Sequence, residues 1–80
     1  MKGITMNLQV HESDPITGYT LYQYWITRPD GASYKGTAYG DDRDWTHDDW
    51  ERFAYTHNGA AKKISLFPIP FSDCHIQRKP

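Results

Sequence analysis

The chain has few side chains whose type and spacing could do chemistry. His47 and Glu51 stand four residues apart, which would place them on one face of a helix and, with Asp44 or His57, suggest a weak metal site. The paired cysteine and histidine spacings of structural zinc are missing from the sequence, so no metal or other cofactor is expected. Cys74 and His75 are adjacent, and in extended chain they point to opposite sides, which prevents them from acting as a nucleophile and its base. The glycines are scattered and match neither a phosphate loop nor a dinucleotide fingerprint. No catalytic constellation emerges, and a non-enzymatic protein is expected.

Two other features point to binding. Residues 41–51 hold six acids, Asp41, Asp42, Asp44, Asp48, Asp49 and Glu51, against Arg43 alone, a local charge of −5. The rest of the chain carries eight bases and four acids, or +4, so a net charge of −1 hides an acidic knob on a basic body. Acids in a first helical turn are favoured by the helix dipole, which accounts for Asp48, Asp49 and Glu51 without a partner. Asp41, Asp42 and Asp44 precede that turn and are left unexplained by it. The second feature is an aromatic content of 15%, more than one covering helix can shelter on a small sheet.

The elements that must position these groups follow from periodicity. Residues 4–10 alternate Ile4, Met6, Leu8 and Val10 with polar neighbours, the pattern of a strand with one buried face. After a Ser, Asp, Pro and Gly loop, residues 19–27 are rich in aromatic and β-branched side chains, and Arg28-Pro29-Asp30-Gly31 predicts a hairpin turn. A three-residue loop sets Ile26 opposite Tyr34, Tyr24 opposite Gly36 and Tyr22 opposite Ala38 in a returning strand over residues 33–39. Leu21, Trp25 and Tyr39 fall on the other face.

Thr46, with Asp49 three residues on, predicts a helix N-cap, with Trp50, Phe53, Ala54 and His57 sharing one face and Asn58-Gly59 ending the helix. Residues 63–67 read as the last strand. Pro68 and Pro70 leave residues 67–71 an extended segment laid over apolar surface, and residues 1–3 and 72–80 are expected to be loosely held. The result is one α+β domain over residues 1–80, in the order β-β-β-α-β, with an antiparallel sheet and one covering helix.

One cysteine excludes an internal disulfide, and with no apolar run of secretory or bilayer length a cytoplasmic protein without membrane contact is expected. In size, single-domain layout and lack of catalytic residues the chain resembles small phage-encoded inhibitors of host systems, anti-CRISPR proteins among them. The surplus rings and the acidic run themselves point to docking on a larger protein or a protein–nucleic-acid complex. The acids of residues 41–51 would then occupy basic grooves meant for phosphate, and Tyr22, Tyr24 and Tyr34 would anchor the contact. The alternative is a single-stranded nucleic-acid binder that stacks bases on Tyr22 and Tyr24. Two copies could also bury the surplus face against each other as a homodimer.

Overall fold

A computed structural model describes residues 12–80. The alternating segment 4–10 lies outside the described residues. The hairpin forms as its turn chemistry dictates, joining β1 (Tyr24–Thr27) to β2 (Ser33–Tyr34) in antiparallel register with Thr27 opposite Ser33. Gly31 takes φ 92°, a left-handed conformation that suits glycine, and its N–H donates to Arg28 O at 2.9 Å. This is the register that a Pro29-Asp30-Gly31 loop requires.

The ladder stops sooner than residues 33–39 promised, because other parts of the chain take the next places. β3 (Trp45–Thr46) pairs with the outer side of β2, and the main chain of Tyr55 bonds both ways with Tyr24, at 3.0 and 2.7 Å. Gly36 therefore does not face Tyr24. The ring of Phe53 lies over it instead, so close that a Cβ at Gly36 would come within 2.7 Å of Phe53 Cδ1. A ring does cover this glycine, but a different one. On the far side of β1 runs β4 (His75–Arg78), with Ile26 opposite Ile76 and Tyr24 opposite Arg78. The sheet order is β3-β2-β1-β4, all antiparallel.

The helix lies later in the chain than expected. Thr46 does not cap one: it belongs to β3, its hydroxyl accepting from Asp48 N–H and donating to Glu51, both at 2.9 Å. The acids after it bond their own backbone. Asp48 accepts from Trp50 N–H at 3.0 Å, closing a single 3-10 turn at Asp49–Glu51, and a second such turn spans Asp42–Asp44. The next Thr-His pair does the capping: Thr56 Oγ1 accepts from Gly59 N–H at 2.9 Å and starts α1 (His57–Leu66). Glu12 completes the cap from a distance, accepting from Asn58 N–H at 2.7 Å and from its side-chain amide at 2.8 Å.

Asn58-Gly59 thus opens a helix, where the local sequence signal has it close one. Of residues 63–67, expected as a strand, 63–66 form the last turn of α1 and Phe67 is its C-cap. Ala60 and Ile64, four apart, face the sheet, while Leu66 is exposed, a helical rather than an alternating pattern. Phe67 ends the helix and Pro68 cannot extend it.

The described residues thus form an α+β layout of one helix on an antiparallel sheet, in the order β-β-β-α-β. Between helix and sheet, Ile26, Tyr34, Ala60 and Phe71 are buried, with Trp45, Tyr55, Ile64, Cys74 and Ile76 packed around them. The opposite face of the sheet carries no helix among the described residues. Trp25, Thr27 and Ser33 are buried there beneath Arg52, whose side chain is only 10% exposed. Its guanidinium stacks 4.7 Å above the Trp25 ring and donates to Gly31 O at 2.9 Å, to His47 O at 3.3 Å, to Asp49 at 2.8 Å and to Ser33 Oγ. No helix among the described residues is long and apolar enough to cross a membrane.

Candidate functional site: an aromatic groove with an acidic lip

Where the C-terminal end of α1 meets the sheet, the chain leaves a groove of about 620 Å³. Tyr34, Trp45 and Phe71 form its floor, Phe71 meeting the tyrosine edge-on at 5.0 Å and the tryptophan at 5.9 Å. One wall is apolar: Phe67, Ile69 and Pro70, with Ile69 88% exposed. Asp41, Asp42 and Asp44 line it as well, together with Lys63. Residues 67–71, expected as an extended segment, instead make a turn around Pro68 and Pro70, from which the Ile69 side chain projects.

The structure divides the acidic run in two. Asp41, Asp42 and Asp44 line the groove, whereas Asp49 lines a separate shallow hollow and is paired with Arg52, Asp48 caps its own turn, and Glu51 is bonded to Thr46 with Lys35 at 4.0 Å. Asp44 is not a surface acid at all. It is buried, accepting from Thr37 Oγ1 at 2.6 Å, Tyr39 N–H at 2.9 Å and Gly40 N–H at 2.7 Å, and so folds the loop that makes the lip. Asp41 accepts from Arg43, which lies 4.2 Å over the ring of Tyr39. Among the described residues Asp42 reaches only Arg28, at 3.3 Å, and its side chain is 97% exposed, which makes it the most available carboxylate of the groove.

The tyrosines separate as well. Tyr34 is buried floor rather than an exposed anchor, its hydroxyl donating to Thr37 O; burial, with Asp44 nearby, holds its phenol above the ordinary range. Tyr22 is exposed and Tyr24 half-buried, both away from the groove. The rings that do shape the groove, Trp45, Phe67 and Phe71, were readable as apolar residues, but nothing in the local sequence brings positions 45 and 71 together. No three His, Cys, Asp or Glu residues stand close enough to hold a metal among the described residues, and Glu51 Oε1 is engaged by Thr46. Burial pushes the Cys74 thiol up, the wrong direction for a nucleophile.

Asp44 makes the lip sensitive to acid. The Thr37 hydroxyl, followed by the N–H groups of Tyr39 and Gly40, holds its carboxyl below the ordinary value of 3.8, against an opposing pull from burial. A carboxyl lowered in the folded state contributes stability that is complete above its unfolded value and is lost as the pH falls through the folded one. Acid titration followed by circular dichroism is therefore expected to show unfolding that begins below about pH 4. Asp44→Asn should unfold about 5 °C lower at neutral pH and lose part of that acid limb. The remainder belongs to Asp14, Asp30 and Asp41, whose carboxyls are also lowered. An Asp44→Asn variant as stable at neutral pH as the wild type would show that these bonds do not hold the loop.

Comparison with protein-family models, with curated proteins and with solved structures finds no match to this chain.

Proposed function

We propose that the chain is a non-enzymatic docking protein that takes a projecting segment of a larger protein into the groove. The observation that carries this reading is the joining of an aromatic floor, an exposed apolar wall at Ile69 and an available carboxylate at Asp42 in one concave site. Such a site fits a segment with an apolar or aromatic side chain beside an arginine or lysine: the first fills the floor, and the second meets the acidic lip. Proteins that handle nucleic acid carry such basic segments where they hold phosphate. On a partner of that kind, Asp41 and Asp42 would stand in for phosphate and block the site without chemistry, as small phage inhibitors of the anti-CRISPR kind do. Arg28 and Arg43 temper this mimicry by partly neutralising the lip, so the apolar wall supplies most of the affinity and the carboxylates the selectivity.

Immobilised protein can be used to capture partners from extracts of the cells that make it, alongside Ile69→Asp and the remote control Ile16→Asp. Ile16 is 92% exposed and lies outside the groove. A partner retained by the wild type and by Ile16→Asp, and bound about tenfold or more weakly by Ile69→Asp, is the expected outcome. Equal retention by all three proteins would mean that the groove is not the docking site.

A further inference from the structure

Four charged side chains line the groove, and three of them are answered within the chain. Asp41 accepts from Arg43, Asp42 from Arg28, and Asp44 from the Thr37 hydroxyl and the N–H groups of Tyr39 and Gly40. Lys63 is the exception. Among the described residues no carboxylate lies within 4.0 Å of its ammonium, although three carboxylates line the same groove. The fold keeps them apart, since Lys63 is held in the last turn of α1 and the acids in the loop before β3. Phe67 follows Lys63 by one helical turn, and the half-buried ammonium lies 4.6 Å from the centre of that ring and 5.8 Å from that of Tyr34. Rings attract a cation without accepting hydrogen bonds as an oxygen does, so in the open groove the three donors of this ammonium are left to water.

A segment docked in the groove removes that water, and a charge buried without a counter-charge is costly. A purely basic segment adds to the cost, because it brings a second cation into a space that already holds one. We propose that the segment taken by the groove carries an aspartate or glutamate near its apolar anchor, whose carboxylate pairs with Lys63 while a base of the same segment meets Asp42. The inference rests on the docking reading and narrows it: the partner segment is mixed in charge, and Lys63 selects against segments that are basic throughout.

The test is selection of a displayed library of random short peptides on the immobilised full chain, with Ile69→Asp as the counter-selection. Peptides retained by the wild type and lost on Ile69→Asp are expected to share an acid as well as an apolar residue and a base. One such peptide, synthesised with both ends blocked so that only its side chains are charged, should bind about tenfold more weakly when the acid is replaced by its amide. Lys63→Gln, which keeps a helix-forming residue and much of the stem, should weaken the original peptide about as much. The two changes together should cost little more than either alone, as a direct pair requires. Lys62→Gln, at an exposed position outside the groove, should leave binding unchanged. Circular dichroism of each variant confirms that it is folded. Ile69-dependent peptides without a shared acid, or two losses that simply add, would overturn this inference and leave the docking reading standing. Failure to select any peptide that distinguishes the wild type from Ile69→Asp would overturn both.

Discussion

Phe71→Ala is expected to lower stability by about 3–5 kcal/mol. An 80-residue domain holds roughly 4–12 kcal/mol in all, so this variant should be largely unfolded or loosely packed near body temperature. Phe71 comes from the proline-flanked segment after α1, is almost fully buried, and meets both Tyr34 and Trp45 edge-on. Removing it would therefore empty the middle of the core and take away the floor of the groove together. Phe71→Leu keeps most of the volume and is expected to cost less than about 1.5 kcal/mol. Urea denaturation of the two variants separates packing at this position from mere apolarity. A Phe71→Ala protein within about 1 kcal/mol of the wild type would mean that residues 67–71 do not close the core.

The second large effect is expected on the sheet face opposite α1. Arg52→Ala removes a guanidinium that covers Trp25 and leaves the Gly31 carbonyl without its donor and the Ser33 hydroxyl with Thr27 alone. A buried acceptor without a partner costs about 1–3 kcal/mol, and the lost cover over Trp25 adds to it, for a loss of about 3 kcal/mol. Arg52→Lys keeps the charge but cannot reach these acceptors with one planar fork, so it should recover less than half of the loss. The denaturation midpoint gives the stability, and tryptophan fluorescence shows whether Trp25 has met water. If Arg52→Lys proved as stable as the wild type, charge alone would account for the site and the forked geometry would be irrelevant.

Sequence and structure agree where local chemistry decides. Pro29, Asp30 and Gly31 permit one tight connection, and its length fixes the pairing of Thr27 with Ser33. They part where two segments carry the same local signal. Thr46-His47 and Thr56-His57 both present a cap. The first leads into aspartates that bond their own backbone, and the second into Ala60, Ala61, Lys62 and Lys63, good helix formers. Trp50 and Phe53, apolar and at helical spacing, mask that difference in the sequence, yet both are exposed. The tail illustrates the other limit. His75–Arg78 is polar enough to look unheld, and only pairing with a strand some fifty residues earlier makes it part of the sheet. The groove inherits this blindness, since its floor joins positions 34, 45 and 71 by long-range packing.

Hydrogen exchange of the chain, alone and in complex with the partner it captures, tests the groove most directly. The expected result is slowing of about tenfold or more at the amides of Ala38, Gly40, Asp41, Asp42, Phe67, Ile69 and Phe71, which line the groove, with little change at residues 13–20. Protection confined to residues 13–20, or none on either segment, would contradict docking through the aromatic groove.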